Sequence, residues 1–325
     1  MFRTLRHRLL FWFLVFIGFS LVAIVLTIVY LDKREAILHK REAIEQAYVG
    51  LLKTVESQQY FFSYETKNQN FFETGKSVYL KRYEVQFDSM LLLLNAIDLR
   101  SNAEWSNNVN ELKREIGQID SLFLYLTQKV KERGFKDYSL EGAMRNHAHW
   151  LEAIDGIPAR DVLSLRRHEK DYIIRNEPEY VDKLIRLAHT LQARFAGNFY
   201  LDKKLKDSVQ YHLNAYVTKF RHMVALDKLI GIKDNTGLKQ QLDAKILASE
   251  TSFSSLVYQT RQWARSEFRK LTIIFMAIGL SLLAFSVFLS AFIAKRITKP
   301  LTELTAHITR FVDSNFTLET EYPVV

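Results

Sequence analysis

Two stretches of this chain run without a charged residue for longer than a water-facing helix tolerates: residues 9–31 (23 residues) and residues 271–294 (24 residues). At about 1.5 Å of rise per residue each reaches roughly 35 Å, enough to cross a hydrocarbon core of about 30 Å with some tilt. A buried core helix is the competing reading, but uncharged runs of 18 or more residues rarely occur outside membranes. The first run also exceeds the roughly 7–15 apolar residues of a cleaved signal peptide and no A-x-A-like site follows it, so an uncleaved anchor is expected.

The flanks set an expected orientation. Arg3, Arg6 and Arg8 precede the first run, and Lys295, Arg296 and Lys299 follow the second, which places both ends in the cytoplasm. The intervening 239 residues carry a net charge of +6, and a loop of that length translocates largely regardless of its charge. Its basic residues form no dense block, which argues against nucleic acid and suits a small anion or an acidic partner protein.

Composition decides the fold class. Only four prolines and eleven glycines occur in 325 residues, too few turn punctuators for a β-sandwich or an α/β enzyme of this length, so the chain reads as all-α. The absence of cysteine excludes a disulfide scaffold, a thiolate metal site and a cysteine nucleophile.

The expected helices follow from apolar spacing and from the residues that stop it. Ile37, Ile44, Leu51 and Tyr48, Val55, Phe62 repeat every seven residues, giving an amphipathic helix from 32 to 72 that Glu73-Thr74-Gly75 ends. A long stretch from Ser77 to Arg133 is loosened by the polar residues 101–108. Ser139 is placed to cap a helix that ends at Asp155-Gly156. Pro158 and Pro178 open the next two helices, and residues 199–230 form another. From Leu238 the pattern Leu242, Ile246, Ser249, Phe253, Leu256, Thr260, Trp263 leads without a break into the second apolar run, with Ser and Thr as weak knobs. Four antiparallel rows of this much helix would stand about 85 Å tall, so two four-helix modules stacked along the membrane normal are expected.

Leu163-Ser-Leu-Arg-Arg-His-Glu-Lys-Asp-Tyr-Ile-Ile-Arg175, the following Tyr180-Val-Asp-Lys-Leu184 and the preceding residues 139–152 resemble the helical bimodular sensor domain of bacterial receptors. That resemblance implies a periplasmic domain of two stacked four-helix modules over residues 32–270, taking a small organic anion or docking a periplasmic binding protein. Residues 295–325 look like the start of a HAMP linker, with Pro300 opening a helix and Leu301, Leu304, Ile308 and Phe311 forming a short heptad stripe. A HAMP linker implies a homodimer. Because its second helix and any output domain are missing, the chain is expected to be the N-terminal part of a longer protein. The expected organisation is thus a cytoplasmic segment 1–8, a span 9–31, a sensor domain 32–270, a span 271–294 and a partial HAMP linker 295–325, located in a bacterial inner membrane. A sensor histidine kinase is preferred to a methyl-accepting receptor or a diguanylate cyclase. A membrane-anchored docking protein without a ligand is the alternative from another class.

Candidate contacts come from the charged helices. Arg166, Arg167 and Lys170 lie within about one turn and Arg175 follows, a set able to clamp a carboxylate. Glu169 and Asp171 among them support the other reading, a salt-bridge network. Arg145, His149 and Glu152 share a helix face at i, i+4, i+7 and either extend that pocket or pair with each other. His147 and His149 point about 200° apart on a helix and cannot hold one metal ion, so no metal and no cofactor is expected. Aromatic residues 60–64 and 71–72 are expected core of the distal module, with a hydrophobic ligand wall or a partner-docking surface as the alternative. Small residues at Ala277, Ser281, Ser286, Ser290 and Ala294 mark a helix contact within or between subunits. The expected relay runs through Trp263, Pro300 and the 301–311 stripe. No catalytic motif occurs.

Overall fold

The computed structural model describes residues 5–97, 103–154, 157–231, 233, 235–295 and 299–313. Among them are ten α-helices and no strand: α1 (Leu5–Tyr64), α2 (Gln69–Thr74), α3 (Val78–Asn95), α4 (Ala103–Arg133), α5 (Ser139–Ala153), α6 (Ala159–Arg175), α7 (Pro178–Ala196), α8 (Lys203–Ile230), α9 (Gly237–Ile293) and α10 (Lys299–Asp313). One turn of 3-10 helix spans Glu65–Lys67. The chain divides into two compact units, Glu42–Thr260 and the residues up to Arg41 together with those from Arg261.

Within Glu42–Thr260 the buried side chains fall into two clusters. The first gathers Ile44 and Leu51 of α1, Met90 of α3, Phe123 of α4 and Phe253 of α9. Phe61 stands edge-on to Phe71 and Phe123 at 5.2 and 5.7 Å; Phe61, Phe62, Phe71 and Phe72 are core, whereas Tyr60 is half-buried and Tyr64 is exposed. The second cluster joins Met144, Leu165, Leu184 and Tyr216 from α5, α6, α7 and α8. There α5 touches α6, α6 touches α7, α7 touches α8, and α8 returns to α5. Leu140 packs against both clusters.

Several helix ends differ from the sequence expectation, each for a local reason. The helix expected to reach residue 72 breaks at Glu65, whose buried carboxylate accepts from Ser77 Oγ at 2.9 Å and Asn68 Nδ2 at 2.6 Å. Asn68 then caps α2 through Asn70 N, and Gly75 closes it in the left-handed region at φ 73°. Of the loosening expected at 101–108, residues 103–108 are helical and belong to α4, while α3 ends at Asn95. Burial of Val109, Leu112 and Ile116 on one face outweighs the poor helix propensity of Asn107 and Asn108. Ser139 caps nothing and itself has a positive φ of 53°. Pro158 is the N-cap of α6 and Pro178 the first residue of α7. The helix expected from Phe199 begins at Lys203, capped by Asp202 through Lys204 N at 3.2 Å.

In the other unit, α1 and α9 pack antiparallel. Trp12 meets Phe292 at 5.5 Å, Phe19 meets Phe285 at 5.5 Å, and Tyr30 meets Phe275 at 4.5 Å between ring centroids. The less exposed positions are 12, 15, 19, 20, 23, 26 and 30 on α1 and 271, 275, 278, 282, 286, 289 and 293 on α9, spaced mostly three and four apart as in a coiled-coil seam. Ser286 therefore faces α1, whereas Ala277, Ser281, Ser290 and Ala294 are exposed, so most of the small-residue stripe is not a contact within the chain. Both helices are long and apolar enough to cross a membrane, and none of either apolar window is buried inside the protein. Leu304 and Ile308 on α10 are more than half exposed and Phe311 is half-buried; Pro300 and Leu301 belong to the same helix. The side chains of Arg6 and Arg8, together with Arg3, Ser101, Asn102, Asp155-Gly156, Arg296 and the expected connector at 316–325, lie outside the described residues.

Candidate functional site

Where the two clusters meet, a cleft of about 390 Å³ opens between the end of α1, α2, the 134–138 loop and the ends of α4, α6 and α8. That volume lies within the range of small-molecule sites. Phe62, Phe72, Phe135, Val130, Ile173 and Ile230 give it apolar walls, and Lys67, Arg133, Lys233, Glu141 and Asp227 supply its charges.

Arg133 organises this cleft. Its guanidinium pairs with Glu141, donates to Asp227 Oδ1 at 2.9 Å, and donates to the carbonyl of Gly134 at 3.0 Å. Burial works against its charge, but Asp227 and Glu141 outweigh burial and hold it protonated. Glu141 also accepts from Lys136 N at 3.2 Å; burial nevertheless pushes its carboxyl above the usual range, against the pull of Arg133. Asp227 Oδ2 is buried and has no hydrogen-bond partner among the described residues. Lys233 Nζ donates to the carbonyl of Ile173, and Lys67 is exposed. The cleft thus joins apolar surface to three cations and two carboxylates, a setting for a small molecule with an apolar body and a carboxylate.

The charged residues singled out in the sequence are distributed elsewhere. Arg166 turns inward, 6% exposed, and pairs with Glu169, which is 1% exposed; Glu152 approaches Arg166 at 3.5 Å, and Tyr216 donates to Glu169 at 2.5 Å. His149 meets Glu152 at 3.0 Å on the edge of the same network. Arg167 is exposed and near Asp171 at 3.9 Å, Lys170 is exposed, Arg175 donates to Tyr180 at 2.6 Å and covers its ring, and Arg145 pairs with Asp137 at 3.2 Å. The six do not converge on one cavity.

Two groupings escaped sequence reading. Arg133 and Asp227 are 94 positions apart and Glu141 belongs to a third helix, so no periodicity links them. His147 pairs with His212, not His149: their Nδ1 atoms are 3.1 Å apart, and His212 stacks on Trp150 at 3.8 Å. Burial lowers both imidazoles, with His212 and Lys219 adding to the effect on His147. Among the described residues no group of three or more metal-ligating side chains forms.

Comparison of the chain with protein-family models, with curated proteins and with solved structures finds no match.

Proposed function

We propose that the chain is the sensing and membrane-crossing part of a bacterial receptor, of the sensor histidine kinase kind, that detects a small carboxylate. One observation carries the reading: α9 is a single helix of 57 residues whose first part lines the first core through Leu242, Phe253 and Leu256 and whose last part is apolar and unburied. A helix built this way passes a displacement at one end to the other. In this reading α1 and α9 cross a bacterial inner membrane and Glu42–Thr260 lies in the periplasm. The two clusters are the cores of two stacked modules of the helical bimodular kind, and the ligand sits in the cleft between them. The exposed Leu304 and Ile308 suit α10 as half of a parallel homodimeric HAMP helix pair.

A ligand that binds one arrangement better than the other shifts the balance between them. Thermal unfolding of the detergent-solubilised chain against a panel of apolar carboxylates, with the matching amides and amines, tests the site. Carboxylates should raise the midpoint, and Lys67→Gln with Lys233→Gln should abolish the rise. No response to any member would refute the cleft as a carboxylate site. In a fusion to a kinase reporter, a two-residue insertion beside Trp263 should disrupt output; unchanged output would refute the relay.

A docking role is the second reading, favoured by Phe199 and Tyr200, which are 95% and 99% exposed in the turn before α8. Replacing both with Ser should leave carboxylate binding intact and abolish capture of a ligand-loaded binding protein.

A further inference from the structure

The basic character of residues 32–270 is not spread over that segment. Of its net charge of +6, +5 falls within residues 32–41 and 261–270, the ten positions next to each apolar run. We propose that these residues form a phosphate-binding ring for anionic phospholipid headgroups on the side of the membrane that holds Glu42–Thr260. The inference rests on the reading of α1 and α9 as membrane spans.

The register of the two helices brings the cations to one level. In the pairs Trp12–Phe292, Phe19–Phe285 and Tyr30–Phe275 the residue numbers add to 304 or 305, so the antiparallel register is constant along the apolar segment. Continued by one turn, that register sets Lys33 and Arg34 beside Lys270 and Arg269. At about 1.5 Å per residue, Lys33 and Arg34 stand roughly 3–5 Å beyond Leu31, and Arg269 and Lys270 roughly 1.5–3 Å beyond Leu271. The headgroup layer is about 5–8 Å thick on each side of the hydrocarbon core, so all four lie inside it.

Carboxylates of the protein leave four of the eight cations in residues 32–41 and 261–270 without an ion pair among the described residues. Glu267 takes Lys270 at 2.8 Å, and Glu35 takes His39 at 3.4 Å. Lys33, Arg34 and Arg269 are exposed, as is Arg265 one turn above, and none of the four makes an ion pair among the described residues. Lys33, Arg34 and Arg269, at one depth beside an apolar surface and outnumbering the exposed Asp32 there, have the chemistry for phosphodiesters carrying net negative charge, each contributing about fivefold to the preference for anionic over neutral lipid.

The test is to reconstitute the full chain in nanodiscs of equal phosphatidylglycerol and phosphatidylcholine and to measure the lipid retained after detergent exchange. Phosphatidylglycerol should be enriched over bulk, less so at high salt, and soluble glycerophosphate should not compete. Arg34→Gln with Arg269→Gln should lower the preference by about 25-fold, whereas Arg34→Lys with Arg269→Lys should retain it with the same helical content. Equal retention of both lipids by the wild type, equal enrichment by the Gln variant, or displacement by glycerophosphate would overturn the proposal. Flotation with vesicles of phosphatidylcholine alone separates the two layers of the argument: a chain that floats yet shows no enrichment retains its spans and loses the ring. A chain that does not float overturns the span reading and the ring together.

Discussion

Replacing Arg166 by Met separates a structural from a ligand-clamping role for the cationic face of α6. Methionine keeps most of the stem's volume and removes the charge. Glu169 would then stay 1% exposed with its main counter-charge gone and the hydroxyl of Tyr216 at 2.5 Å as its remaining recorded partner. Removing one partner of a buried ion pair costs about 3–5 kcal/mol, far more than the intact pair contributes relative to an apolar replacement. With a urea slope of about 2 kcal/mol per molar, the unfolding midpoint of the detergent-solubilised chain should fall by roughly 2 M. Adding Glu169→Gln removes the stranded charge, leaves Tyr216 a partner, and should restore stability to within about 1–2 kcal/mol of the wild type. Arg167, with 82% of its side chain exposed, supplies the control, and Arg167→Met should shift stability by less than about 0.5 kcal/mol. All these measurements are made without ligand. An Arg166→Met protein within about 1 kcal/mol of the wild type, or a double variant no more stable than the single one, would refute the assignment of Arg166 to the fold.

Three further outcomes are expected. His147 and His212 have lowered imidazole affinities for protons, so below about pH 6.5 the unfolded chain takes up protons that the folded chain resists. Stability should therefore be flat above about pH 7 and decline from pH 6.5 downwards, and His212→Phe should reduce that slope in urea unfolding read against pH. Gly142→Ala would place a Cβ 2.1 Å from the backbone of Asp137, so it should cost about 1–3 kcal/mol in the same assay; a neutral outcome would show that the 134–138 loop yields freely. Because the chain has no cysteine of its own, Phe19→Cys with Phe285→Cys should oxidise within one chain, while Phe19→Cys with Ala277→Cys should not, as read by mobility on non-reducing gels.

What could be read in advance followed from local chemistry. Gly75, Pro158 and Pro178 stand at helix ends because each changes what the backbone can do. The fate of Arg166 was also present in the sequence: Arg166 and Glu169 share the face of Val162, Leu165 and Tyr172, all buried, so an inward pair followed from the same spacing that suggested a clamp. The Glu65 turn was hidden because it depends on Ser77, twelve residues on. The cleft was hidden because Arg133, Glu141 and Asp227 come from three helices that only tertiary packing brings together, and the partner of His147 lies 65 positions away.

The division of the Glu42–Thr260 interior into two clusters bears on how this part of the chain melts. Leu140, the Arg133–Glu141–Asp227 knot and α8 link them, α8 giving Met223 and Val224 to one cluster and Leu226 and Ile230 to the other. Two dense regions joined by such a seam unfold as separate cooperative blocks when the seam is weak and as one when it is strong. A molecule seated in the cleft adds contacts at that seam, so its binding should register as the merging of two heat-absorption peaks as much as in the temperature of either. The same seam would make the cooperativity of unfolding a measure of occupancy.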